Sequence, residues 1–295
     1  MPPFWHWFVA AGTILYVVWC VWLVSWSAKQ GPQNVADEDL VGHKWDGDLE
    51  EWNNPAPKWW LYLYFITIIW GIGYLVAYPG LGNFKGMLGW SQQGQYEEEM
   101  QAATDTYEPI YEEYAAMDFA ALAQNEDALS LGESLFASYC TTCHGSDARG
   151  ATGYPNLTDN DWLWGSTEAD IVMTISNGRQ AAMPPQGAIL DDAAVDNLVA
   201  HVKSLSGSGD ANAAGQAEFA MRCAMCHNPD GSGNKIFGAP NLTDDIWLYG
   251  ASDEVIRETI VSGRSGMMPA HGELLGANRT KILAAYVSSL SQHDQ

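Results

Sequence analysis

Long charge-free apolar runs near the start of this 295-residue chain give way to shorter amphipathic stretches in its second half. Residues 5–26 and 59–78 contain no Asp, Glu, Lys or Arg over 22 and 20 positions. As helices rising about 1.5 Å per residue, each is long enough to cross a hydrocarbon layer of about 30 Å. Aromatic side chains crowd their ends: Trp5, Trp7, Trp22 and Trp26 in the first, and Trp59, Trp60, Tyr62 and Tyr78 in the second. Amphipathic rings gather in this way at membrane interfaces. The first run has no basic residue before it and is too long for a cleaved signal peptide, so it reads as a retained span. Beyond it the period changes. Apolar residues recur at helical spacing over 191–205 and 277–290, and shorter helices are expected over 168–177 and 253–262. Two more helices open near Ser130 and Ala213, with loops rich in Gly, Pro and Asn in between. The stretch 90–127 lacks a strong apolar period and carries Glu97-Glu98-Glu99 and Glu112-Glu113, which suits a solvated, partly helical tether.

The second half is a repeat. Gly132 and Phe136 recur as Gly215 and Phe219, 83 positions on, and the register then lengthens by two. Pro155-Asn156-Leu157-Thr158-Asp159 matches Pro240-Asn241-Leu242-Thr243-Asp244, and Trp162-Leu163-Trp164-Gly165 matches Trp247-Leu248-Tyr249-Gly250. Gly178-Arg179, Met183-Pro184 and Leu205 have counterparts in Gly263-Arg264, Met268-Pro269 and Leu290. Internal repetition is diagnostic of architecture. Each unit here is too small to bury much core by itself.

Both copies carry C-x-x-C-H, as Cys140-Thr141-Thr142-Cys143-His144 and Cys223-Ala224-Met225-Cys226-His227. This spacing is that of c-type haem attachment. Two thiols three residues apart share a face of a helical turn and can add to the haem vinyl groups, and the following His is carried under the iron. A zinc site could use four thiols, and a disulfide framework could use the same cysteines. Either would leave the trailing histidines and the matching methionines unexplained. Covalent haem therefore supplies the missing apolar volume of each unit. Cys20, alone in an apolar run, reads as a small packing residue.

Met183 and Met268, each beside Pro at one register, fall where a sixth iron ligand would come from. A lone Met is usually a packing residue, but the matched pair points to His/Met coordination, which favours electron transfer over gas binding. Met267 competes for the second position, though only Met268 keeps the register. Which methionine serves which haem is left open. Arg179 and Arg264 are candidates for the haem propionates through forked hydrogen bonds, or for tying down a loop. Trp162 and Trp247 suit a propionate contact or a haem-pocket wall. His6, His43, His201, His271 and His293 have no repeat partner and read as non-ligands.

Charge sharpens the topology. Two spans leave both termini on one side of a membrane. Lys29, Lys44 and Lys58 lie in the loop between the spans, which places residues 27–58 in the cytoplasm by the positive-inside rule. Covalent haem attachment is extracytoplasmic in bacteria, so the haem half is expected in the periplasm, in agreement. The chain holds 36 acids against 13 bases, a net charge of −23. From residue 91 onward there are 29 acids and 9 bases. Such a field disfavours nucleic acid. It suits steering of a basic redox partner, or a salty habitat in which that steering is screened.

Gly42-His43-Lys44-Trp45-Asp46-Gly47-Asp48-Leu49, Asn53-Asn54-Pro55 before Trp59-Trp60, and Tyr78-Pro79-Gly80-Leu81-Gly82 resemble the dihaem c subunit (subunit III) of cbb3-type cytochrome c oxidases. The tandem C-x-x-C-H units with late Met-Pro extend that resemblance over nearly the whole chain. It implies an inner-membrane electron-transfer subunit with two covalently bound haem c groups. One haem is held by Cys140, Cys143 and His144 and the other by Cys223, Cys226 and His227, with Met183 and Met268 as distal ligands. The implied partners are a donor cytochrome c, a catalytic subunit with b-type haem that reduces oxygen and pumps protons, and a monohaem c subunit. No catalysis by this chain alone is expected. Alternatives are a free-standing membrane-anchored dihaem cytochrome and a haem-based sensor. The expected architecture is mainly α: two transmembrane helices within 1–82, an acidic linker over 83–128, and cytochrome c-like haem domains at 129–207 and 208–295.

Overall fold

A computed structural model describes residues 1–29, 40–52 and 57–291. Asn53, Asn54, Pro55 and His293, singled out in the sequence, lie outside the described residues. The chain divides into two compact units, Met1–Asp105 and Thr106–Gln295.

In the first unit, helix α1 (Pro3–Ser27) and helix α2 (Lys58–Ala77) bracket a hairpin of β1 (Leu40–Trp45) and β2 (Leu49–Trp52). Pro3 opens α1 without cost, because a first-turn N–H has no helical partner. Large apolar side chains along both helices, among them Leu15, Trp22, Ile69 and Trp70, are exposed. That pattern fits lipid as the surrounding solvent. The backbone N–H of Asn83 donates to His6 Nδ1 at 2.9 Å, which joins the start of α1 to the segment leaving α2. The two helices therefore enter and leave at one end. The hairpin was not expected from sequence. Its turn uses Asp46 and Gly47, both at positive φ, and the Asp-Gly pair was the available signal. Lys44 and Glu50 face each other across it at 2.6 Å.

The acidic linker is largely one helix, α3 (Gln92–Ala115), which runs from the first unit into the second. A short α4 (Phe119–Leu122) follows. The first repeat then builds α5 (Glu126–Tyr139), α6 (Thr141–His144), α7 (Glu168–Asn177), strand β3 (Arg179–Met183) and α8 (Asp192–Leu205). The second builds α9 (Ala213–Arg222), α10 (Ala224–His227), α11 (Asp253–Ser262), β4 (Arg264–Met268) and α12 (Gly272–Leu290). Caps recur with the repeat. Asn125 and Asn212 cap α5 and α9, while Thr167 and Ser252 cap α7 and α11. Each satisfies an N–H that the helix start leaves free. A break at Gly276 means that the regular part of α12 begins at Ala277, where the apolar period begins.

The repeats do not pack as separate sequential domains. One core gathers Leu135 and Phe136 of α5, Ile171 and Ile175 of α7, and Leu275, Leu283, Ala284 and Val287 of α12. The other gathers Val195, Leu198, Val199 and Val202 of α8, Phe219 of α9, and Ile256 and Ile260 of α11. Each C-terminal helix has thus been exchanged: α12 completes the lobe of α5 and α7, and α8 completes the lobe of α9 and α11. Burying side chains such as Phe219 or Leu198 is worth about 1.5–3 kcal/mol each, and the exchange places those gains between the repeats. The repeated Gly132 and Gly215 mark the two crossings. A Cβ at Gly132 would sit 2.5 Å from Tyr286 Cβ, and one at Gly215 would strike the Asn197 carbonyl oxygen.

Between the lobes, β3 and β4 pair antiparallel, with Arg179 opposite Met268 and Met183 opposite Arg264. Shifting one such pair by the repeat offset gives the other, so the ribbon is its own twofold mate. Flanking hydrogen bonds obey the same relation. Gln186 N–H donates to the Ile260 carbonyl and His271 N–H to the Ile175 carbonyl, both at 2.9 Å.

Candidate haem sites

Each C-x-x-C-H is split by a bend at its first cysteine. Cys140 closes α5 and opens α6, and Cys223 stands likewise between α9 and α10. The helical path continues, because His144 N–H donates to the Cys140 carbonyl at 3.0 Å and His227 N–H to that of Cys223 at 2.9 Å. The second thiol and the imidazole therefore follow the first around one turn.

His144 Nδ1 lies 3.0 Å from the Pro155 carbonyl, and His227 Nδ1 lies 3.1 Å from that of Pro240. A carbonyl only accepts, so Nδ1 carries the proton and Nε2 keeps its lone pair. Burial pushes the pKa of both imidazoles down, partly offset by those hydrogen bonds. The result is two neutral, oriented imidazoles, the form in which His ligates iron. Burial, and then the neighbouring Cys143, push the Cys140 thiol up to about 11. Burial also takes Cys223 to about 11. These are protonated thiols rather than thiolate ligands. Cys140 packs against the first core and Cys223 against the second, and among the described residues no cluster of His, Cys, Asp and Glu assembles as a metal site. The donor set fits covalent haem, with thiols to attach it and an imidazole nitrogen free for its iron.

The methionines arrive from the opposite repeat. Met268 packs against the core that Cys140 joins, and Met183 against the core that Cys223 joins. Met267, its rival in sequence, is 73 % exposed. Trp162 and Trp247 pack on the first and second cores respectively. Arg179 Nε donates to Thr174 Oγ1 at 2.9 Å, and its guanidinium lies over the Trp164 ring at 4.9 Å. Arg264 repeats this with Thr259 at 2.9 Å and Tyr249 at 4.5 Å. Both arginines are thus held firmly beside the methionine of the other repeat. Thr174 and Thr259 were missed in the sequence, although they stand at the same repeat register. His201 is buried against Phe219, and His271 Nδ1 contacts its own loop at the Pro269 carbonyl.

A cleft of about 370 Å³ lies where the 160–163 loop of one repeat meets the 232–241 loop of the other. It is lined by Asp161, Trp162, Lys235 and Pro240, among others. Burial, and then Asp244 and Asp159, push the Asp161 carboxyl above its usual range, while Lys235 opposes them. Trp162 belongs to the first core, and Pro240 orients the histidine of the second.

The same division appears against known families. Residues 37–85 match the N-terminal domain of cytochrome oxidase-cbb3, FixP. Residues 127–202 and 210–287 each match the family described as cytochrome c oxidase, cbb3-type, subunit III. The chain belongs to this family. It is 42 % identical to the cbb3-type cytochrome c oxidase subunit CcoP of Rubrivivax gelatinosus, over 98 % of this chain and 95 % of that protein. It is 41 % identical to the subunit FixP of Azorhizobium caulinodans, over 85 % of this chain and 92 % of the relative. With the CcoP subunit of Cereibacter sphaeroides it shares 37 % identity, over 90 % and 98 % of the two chains. For this cbb3 subunit III chain, the paired matches at 127–202 and 210–287 coincide with the two repeats whose halves are exchanged.

Proposed function

We propose that this chain is the electron-transfer subunit of a cbb3-type terminal oxidase, anchored in a bacterial inner membrane with its haem lobes in the periplasm. It takes electrons from a donor cytochrome c and delivers them, through its two c-type haems, to an oxygen-reducing, proton-pumping subunit with b-type haem, in a complex that also holds a monohaem c subunit. The observation that carries the reading is the duplicated site: two neutral imidazoles, each fixed through Nδ1 by a proline carbonyl, following a partly buried, protonated first cysteine of the motif.

Cys140, Cys143 and His144 would hold one haem c, with Met268 supplying its thioether ligand. Cys223, Cys226 and His227 would hold the other, with Met183. The exchanged packing of the two methionines supports that pairing. When bound, each haem supplies a one-electron carrier without an open coordination position. The prolines hold the imidazole tautomer, and the apolar cores exclude water. The threonines Thr174 and Thr259 fix the arginines beside the distal ligands, where a guanidinium can balance the propionate charge. None of these residues acts as an acid, base or nucleophile, so the chain is non-catalytic by itself. Both termini and the haem lobes share the periplasmic side. Residues 129–207 and 208–295 are repeats whose C-terminal helices are exchanged between the haem lobes.

Purification from its native membrane in mild detergent tests the function. A b-type haem subunit is expected to co-isolate, and carbon monoxide is expected to leave both haems of the separated, reduced chain unchanged. Isolation of the chain alone would defeat the reading.

A further inference from the structure

Each C-x-x-C-H loop ends in a tip that reaches the opposite repeat. Gly150 N–H and Gly233 N–H donate to the carbonyls of His144 and His227 at 2.7 and 3.0 Å, so each tip is rooted on its own motif histidine. The bridges Ala151 to Tyr154 and Asn234 to Ala239 then close the two tips. From the first tip, Gly153 N–H donates to the Leu248 carbonyl of the second repeat at 2.9 Å. A Cβ at Gly153 would lie 3.3 Å from Tyr249 Cε1. From the second tip, Gly238 lies directly against the Trp164 indole of the first repeat, where a Cβ would strike Cζ2 and Cε2. That contact and a φ of 64° both call for glycine. Lys235 of the same tip also faces the first repeat. The Asp170 carboxyl is held below its usual range first by its hydrogen bonds from Thr167, and further by Arg179 and Lys235.

The two rings that the tips touch are the rings that carry the arginines, Trp164 under Arg179 and Tyr249 under Arg264. The threonine bond to Nε fixes one edge of each guanidinium, and the ring face fixes its plane. Each ring is backed in turn by the tip of the other motif. We infer that Trp164 and Tyr249 are positioning residues, through which each C-x-x-C-H loop sets the guanidinium, and with it the haem potential, of the opposite lobe. The inference rests on the reading that each lobe holds a haem c beside its arginine. A cation fixed beside such a site favours reduced iron, which carries one positive charge fewer, and a guanidinium released into water is screened. A ring that served only to fill its own lobe would need neither a guanidinium over its face nor a bare glycine from the other repeat beneath it.

Redox titration of the full chain in mild detergent tests this without assigning either haem. R179Q and R264Q mark the two waves, each lowering one midpoint. W164L in the first repeat and G238A in the second motif's loop are both expected to lower the midpoint that R179Q lowers, by a smaller amount. The other midpoint and the c-haem content should stay unchanged. W164Y, which copies the ring at the matching position of the second repeat, is expected to recover the midpoint. Y249L should lower the one that R264Q lowers. The inference is overturned if W164L leaves both midpoints unchanged, if W164Y is no better than W164L, or if G238A moves the R264Q wave instead. It is also overturned if R179Q moves neither wave. Should G238A lose haem, W164L and W164Y, outside both motifs, decide alone. If the unaltered chain shows no pair of c-haem waves, it is the dihaem reading that fails rather than the role of the two rings.

Discussion

At the scale of single residues, the site works by removing choices. Pro155 and Pro240 leave each imidazole one tautomer, and burial leaves it neutral. As the proposed sixth ligands, the methionines would be soft donors, which raises the potential relative to a harder or absent one. Met183→Ala and Met268→Ala are each expected to lower one of two potentials and open one haem to carbon monoxide, as a spectroelectrochemical titration would read. Unchanged potentials for either variant would remove that methionine as a ligand. The threonine contacts to Arg179 and Arg264 make a second prediction. Thr259→Val removes the hydrogen bond to Nε at about 1 kcal/mol. It should shift the potential of one haem by less than loss of Met does, with haem content unchanged. The proposed cysteine, histidine and methionine ligands stand out in the sequence because bond-making chemistry requires those residue types at that spacing. The arginine anchors were not, because a hydroxyl reaching Nε five residues away has no distinctive pattern.

Among the elements, α3 and α12 carry the strongest departure from expectation. The acidic stretch lacks an apolar period, yet its end is fastened. Lys281 Nζ donates to the carbonyls of Ala115 and Met117 at 2.9 and 2.7 Å, in place of a helix cap. Arg279 reaches Glu108 at 2.7 Å and lies over Tyr111. Only partners some 165 positions away in sequence reveal this, so local patterning could not. Lys281→Met should free two carbonyls, lower stability by about 1–2 kcal/mol and speed amide exchange in the last turn of α3. His201 on α8 gives a pH prediction. Burial depresses its pKa, so the unfolded chain takes up a proton first. Its contribution to stability is complete above the ordinary His value of about 6.5 and is lost as pH falls toward the lowered native value. His201→Tyr, the counterpart of Tyr286, should flatten the acid limb of thermal stability. An equally steep limb would count against it.

For the whole molecule, the exchange of α8 and α12 turns the two small repeats into one interdependent pair. The repeat and both amphipathic helices were readable from the chain. Their partners were not, because Leu198 and Leu283 satisfy an apolar period equally well in either lobe. The acidic surface belongs to this scale too. With a net charge of −23, oxidation of a basic donor cytochrome c by the complex should slow steeply as salt rises. A rate indifferent to ionic strength would assign the charge to solubility instead. The exchanged wiring is the centre of the account. It is tested most directly by nuclear Overhauser contacts from isotope-labelled methionine methyls in the reduced holo-protein. The Met183 methyl is predicted to contact the haem whose thioethers belong to Cys223 and Cys226, and the Met268 methyl the haem of Cys140 and Cys143. Contact of each methyl with the haem of its own repeat would contradict it.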